Sequence, residues 1–179
     1  MADVETPERQ DSGRPEPDGL GQPAEPKLPE PELVARVVQR LINHMGVRGR
    51  VEVTRQADGY FADIRSRQPS GILIGRRGAT LRALQHIARA IVRRDYPDVP
   101  PVIVDVGGYR RRRDDFLRKK AIAVAHIVLE TQREMALDTL TEKEMHFVRD
   151  ALASLPGVRV YAVGTGPRRT VVVAPVQNN

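Results

Sequence analysis

The chain of 179 residues has no cysteine and no tryptophan, and only four tyrosines and three phenylalanines. Without cysteine there is no disulfide framework and no thiolate metal site. The four histidines, His44, His86, His126 and His146, stand too far apart in sequence to suggest a ligand set. So few aromatics argue against modules that stack bases on an aromatic sheet. No apolar run approaches the roughly 20 residues of a membrane span, and the N-terminus is acidic rather than a signal peptide. These absences predict a soluble, cytoplasmic protein. Nucleophile-elbow and triphosphatase signatures are missing too, and no set of carboxylates is spaced to converge, so the expectation is a non-enzyme with no cofactor and no small-molecule substrate.

Charge is abundant but unevenly placed. The net charge is +6, with 29 Lys and Arg against 23 Asp and Glu. Residues 1–31 hold eight acids and three bases, a net of −5, which leaves +11 on the rest. That basic remainder is an electrostatic footprint for a polyanion. The same 31 residues contain seven prolines, a composition that buries too little apolar surface to offset the cost of ordering. Residues 1–30 are therefore expected to be a disordered acidic, Pro-rich tail.

The informative stretch is Gly71-Ile72-Leu73-Ile74-Gly75-Arg76-Arg77-Gly78-Ala79-Thr80-Leu81. An apolar turn enters a Gly-x-x-Gly loop with two arginines between the glycines, and a second apolar period begins at Leu81 and continues through Leu84, Ala88, Ile91 and Val92. A triphosphatase loop would close on Gly-Lys-Ser or Gly-Lys-Thr, and a dinucleotide loop would need a third glycine after a strand. Neither is present. A tight turn into a helix N-terminus nonetheless presents backbone N–H groups to a phosphate, and Arg76 and Arg77 add full charges. The pattern resembles the KH domain, whose loop clamps about four nucleotides of a single strand.

The flanking elements agree. An apolar stripe from Leu33 to Met45 predicts a helix over 32–45 ended by Gly46, and Val51–Val53 and Tyr60–Ile64 around Asp58-Gly59 read as a hairpin. Val102–Val106 reads as a strand before Gly107-Gly108. The order αββααβ is that of a type II KH domain over residues 31–108. Beyond it, Arg110-Arg111-Arg112-Arg113 opens a helical pattern to about residue 135. These arginines sweep most of a circle, and Arg110–Asp114 and Arg111–Asp115 can pair at i,i+4, so the run reads as a salt-laced surface or as a phosphate contact. Thr141 begins another helix, and Val158–Val163 and Arg168–Val173 form a final hairpin with Arg168 and Arg169 at its tip.

Taken together, the Gly-Ile-Leu-Ile-Gly-Arg-Arg-Gly loop, the exit Val104-Asp105-Val106-Gly107-Gly108-Tyr109-Arg110 and the Pro-Gly-Val…Arg-Arg-x-Val-Val-Val ending resemble the Jag family of SpoIIIJ-associated proteins. The resemblance covers about residues 32–175. It implies an α+β protein with a type II KH domain at 31–108 and a small R-3-H-like α/β domain at 109–179 that includes the long leading helix. It also implies single-stranded RNA as partner, a small partner KH protein, and a part in post-transcriptional control of cell elongation and division. The candidate nucleic-acid-binding residues are Gly75, Arg76, Arg77 and Gly78 with groove residues Ile72 and Ile74, then Arg110 and Arg113 from the arginine run and Arg149, Arg168 and Arg169 in the second domain. Two departures are expected to matter. The acidic tail stands where many members carry a folded Jag N-terminal domain. Met145 and Arg149 occupy the places of the Arg-x-x-x-His pair for which the second domain is named. A protein–protein adaptor with little RNA binding of its own is the alternative.

Overall fold

The computed structural model describes residues 30–66 and 70–176. The acidic tail and its expected disorder lie outside those residues. Two separate hydrophobic cores organise the chain, one drawn from residues 33–106 and the other from 117–173.

The first unit runs α1 (Glu30–His44), β1 (Gly49–Gln56), β2 (Gly59–Ser66), α2 (Gly71–Ile74), a 3₁₀ turn (Arg76–Gly78), α3 (Ala79–Asp95) and β3 (Val102–Val106). Its sheet has the order β1-β2-β3; β1 is antiparallel to β2, and β2 is parallel to β3 with Ala62 opposite Val104. The apolar stripes work as their spacing requires: α1 buries Leu33, Val34, Val37, Val38 and Ile42, and α3 buries Leu81, Leu84, Ala88 and Val92. This is the expected αββααβ, KH-like unit. It carries the helix–turn–helix at 71–95 on the edge nearest β3.

The second unit begins with α4 (Tyr109–Thr131), which buries Leu117, Ala121, Val124, Ala125 and Val128 along one stripe. It continues with β4 (Met135–Thr141), α5 (Glu142–Leu152), β5 (Val158–Val163) and β6 (Arg168–Pro175). Here the structure corrects two sequence expectations. The long helix ends at Thr131, where Gln132 takes a left-handed conformation, and residues 135–141 are a strand. The final hairpin is thus part of a three-stranded sheet in the order β4-β6-β5. The strand escaped the sequence reading because a bulge between Ala136 and Asp138 breaks its alternation. Its fully buried side chains, Leu137 and Leu140, are consequently three apart, a helical spacing. Thr141, where the sequence places the start of a helix, caps α5 in a capping box with Glu144.

The elements of the second unit are tied together at Arg113. Its side chain is 12% exposed and reaches Asp138 of β4 at 3.2 Å and Glu144 of α5 at 3.0 Å, both carboxylates themselves nearly buried. Burial by itself would raise the Asp138 carboxyl. The Thr139 N–H, Arg113 and Arg77 outweigh it and hold that carboxyl below its ordinary value. Glu144 shows the same balance, with burial opposed by the Thr141 backbone N–H, Arg113 and the Thr141 hydroxyl. Arg110 is also taken up internally. Its Nε donates to the Val104 carbonyl and its Nη2 to Gln85 Oε1, which ties α4 to β3 and α3. Among the described residues the pairs Arg110–Asp114 and Arg111–Asp115 do not form.

Two outcomes follow for stability. Met145 is 3% exposed within the second core, so Met145→Ala should cost about 2–4 kcal/mol, read from the urea midpoint; a loss below about 1 kcal/mol would contradict this packing. Carboxyls depressed in the folded state contribute stability that is complete above about pH 4 and is lost as the pH falls through their folded values. Native stability should therefore decline below about pH 4, whereas Arg113→Gln should already be weaker at neutral pH by about 2–4 kcal/mol and decline less on acidification. Equal urea midpoints for the native chain and Arg113→Gln at pH 7 would contradict that role.

Candidate nucleic-acid interface

The Gly-x-x-Gly turn is built by steric necessity at both glycines. Gly75 has φ 68°, and a Cβ there would lie 2.1 Å from Thr80 Oγ1. Gly78 has φ 73°, and a Cβ would lie 2.9 Å from the Tyr109 ring, which packs over the turn from the start of α4. Between them Arg77 itself adopts a left-handed conformation, φ 52° and ψ 35°, which is uncommon for a residue with a Cβ. No side chain caps the N-terminus of α3, so its first-turn N–H groups are not occupied by a capping side chain.

The two arginines of the turn have different fates. Arg76 is exposed and forms no ion pair among the described residues. Arg77 reaches across to the second unit, where its Nη2 lies 2.8 Å from Asp138 Oδ1. Its carbonyl oxygen accepts from Arg82 Nη1 at 2.8 Å and Arg168 Nη1 at 3.4 Å. Arg168 also donates to the Thr139 carbonyl at 2.6 Å. These hydrogen bonds join the turn and the start of α3 to the β4–β6 edge. Beside them the turn, α3, the first turns of α4 and the start of α5 line a cleft of about 290 Å³. Burial, and then the nearby Arg168, lower the proton affinity of Arg82, and burial raises that of the Tyr109 phenol.

The remaining residues singled out from sequence are dispersed. Ile72 is 64% exposed beside the turn, whereas Ile74 packs against the first core. Arg110 and Arg113 border the cleft but are committed to the internal partners described above. Arg169 is ion-paired with Glu142. Arg149 is exposed on α5 and lines a separate shallow groove with Leu152 and Val160. Met145, one turn before it, is core, so the two positions of the family pair do not share a surface. Arg82, Asp138 and Tyr109 were missed. Arg82 is one of several arginines on α3 and carries no distinguishing signal, and Asp138 lies in the strand that the bulge concealed.

Among the described residues no helix is long and apolar enough to cross a membrane, and no group of three or more His, Asp or Glu could hold a metal ion.

No family model matches the chain. Individual proteins do. RNA-binding protein KhpB of Lactiplantibacillus plantarum is 34% identical over 104 residues, 58% of this chain and 32% of its own. RNA-binding protein KhpB of Bacillus subtilis is 29% identical over 109 residues, 60% of this chain and 52% of its own. The protein of the same name from Clostridium symbiosum is 32% identical over 109 residues, 61% of this chain and 49% of its own. The chain thus spans between about a third and a half of the length of these curated relatives. These matches, with a KH-like unit around a Gly-x-x-Gly turn and a small α/β unit behind it, support assigning the chain to the Jag family, represented by the KhpB proteins.

Proposed function

We propose that the chain is a non-enzymatic, single-stranded RNA-binding protein that holds its ligand through the Gly75–Gly78 turn. The observation that carries the reading is the turn itself: two glycines that tolerate no side chain, an unpaired and exposed Arg76, and an α3 N-terminus that no side chain caps. A phosphate at that place would meet backbone N–H groups, the positive end of a 17-residue helix and a guanidinium together. The exposed Ile72 beside it offers apolar surface to a base. The net charge of +11 outside the first 31 residues favours a polyanion. The relatives bearing the name RNA-binding protein support the ligand class. By family resemblance the protein would act in the cytoplasm in post-transcriptional control linked to cell elongation and division, together with a small partner KH protein.

Arg77 is a poor target for a test, because an acid there would face Asp138 as well as any ligand. Arg76→Asp reverses the exposed charge and disturbs no internal pair. In fluorescence anisotropy with a short labelled single-stranded RNA, the native chain should bind with log affinity falling against log salt by about 0.7 for each neutralised phosphate. Arg76→Asp should lower affinity by about tenfold or more. Equal binding by the two proteins would contradict the assignment. No RNA binding, with recovery of a partner that survives nuclease treatment, would favour the adaptor.

A further inference from the structure

We propose that Arg82 of α3 and Arg168 of β6 form a second phosphate subsite, shared by the two units, which carries an RNA strand from the Gly-x-x-Gly turn onto the second unit. The proposal rests on the RNA-binding reading above and adds a place where the phosphodiester backbone is gripped. Arg82 Nη1 and Arg168 Nη1 converge on a single acceptor, the Arg77 carbonyl oxygen, at 2.8 and 3.4 Å. Neither arginine is in an ion pair among the described residues. Two like charges have thus been brought to one carbonyl oxygen, that of Arg77, and Arg168 also holds the Thr139 carbonyl.

Such an arrangement opposes itself electrostatically until an anion arrives. The proximity of Arg168 and the burial of Arg82 both disfavour the Arg82 cation, a cost that a bound phosphate would reverse. Each guanidinium has five N–H donors, of which Arg82 uses one in a described hydrogen bond and Arg168 uses two. The planar forks that remain match phosphate oxygens. The nearby acids do not close the site. The Asp138 side chain is 6% exposed and engaged by Arg77 and Arg113, and Glu144 is 12% exposed and engaged by Arg113 and Thr141. Asp114 lines the cleft beside Arg82, and Lys143 lies near enough to offset it.

The geometry also explains why Arg77 is held in a left-handed conformation. Its side chain is drawn to Asp138 while its carbonyl is turned toward both arginines, so the second unit fixes the shape of the turn that the first presents.

The test is anisotropy with the full chain and a labelled single-stranded RNA across a salt series. Arg82→Gln and Arg168→Gln should each weaken binding about tenfold. The double variant should flatten the salt slope by about 0.7, the value of one phosphate, and not by the roughly 1.4 of two. Arg168→Lys should recover most of the affinity, and Arg159→Gln, on β5 outside the cleft, should bind as the native chain does. If Arg76→Asp abolishes binding while Arg82→Gln and Arg168→Gln match the native chain, the turn binds RNA and the shared subsite is wrong. A double variant that loses the slope of two phosphates overturns the sharing. If the native chain binds no RNA, both readings fail.

Discussion

The carboxylate of Asp138 is the point on which the arrangement of the two units depends. It receives Arg77 from the Gly-x-x-Gly turn on one oxygen and Arg113 from α4 on the other, with a side chain only 6% exposed. A buried carboxylate without partners would cost several kcal/mol, a cost that the two cations and the Thr139 N–H offset together. It therefore acts as a condition on geometry: the second unit packs well only when the turn of the first is in reach. Arg113 extends the same condition to Glu144 and, through the capping box, to the start of α5.

That constraint changes what the turn is. Held by Asp138 through its side chain and by Arg82 and Arg168 through its carbonyl, the turn is ordered before any ligand arrives. A pre-ordered clamp loses less entropy on binding. Three arginines of the run at 110–113 serve the same end: Arg110 ties α4 to the sheet, Arg112 donates to the Gly107 carbonyl, and Arg113 holds the acids. Only Arg111 of the four has no described partner.

The first unit was legible in the sequence because its signals are local. The stripes of α1 and α3, the Asp58-Gly59 turn and the Gly-x-x-Gly loop each lie within a few residues, and periodicity alone places them. The start of α5 at Thr141 was legible for the same reason. The surface that joins the units was not. Strand β4 hides behind a bulge that gives Leu137 and Leu140 a helical spacing. The partners of Asp138 lie 25 and 61 residues away, at Arg113 and Arg77, a separation that no local pattern encodes. Charge counting overestimated the exposed set. The run at 110–113 read as a salt-laced surface or as a phosphate contact, and Arg110 and Arg113 are taken up by internal partners, whereas Arg82 was indistinguishable from its neighbours on α3. The replacement of the family's Arg-x-x-x-His pair was plain in the sequence, yet its consequence needed the fold: Met145 completes a core and Arg149 stands apart from the cleft.

The most direct test of the account is hydrogen–deuterium exchange of the full chain with and without a short single-stranded RNA. If the turn and the second unit form one binding surface, the amides of residues 75–82 and those around Thr139 and Arg168 will slow together at the same RNA concentration. Slowing confined to residues 75–82, with the β4–β6 edge unchanged, would contradict it and leave the turn as an independent clamp.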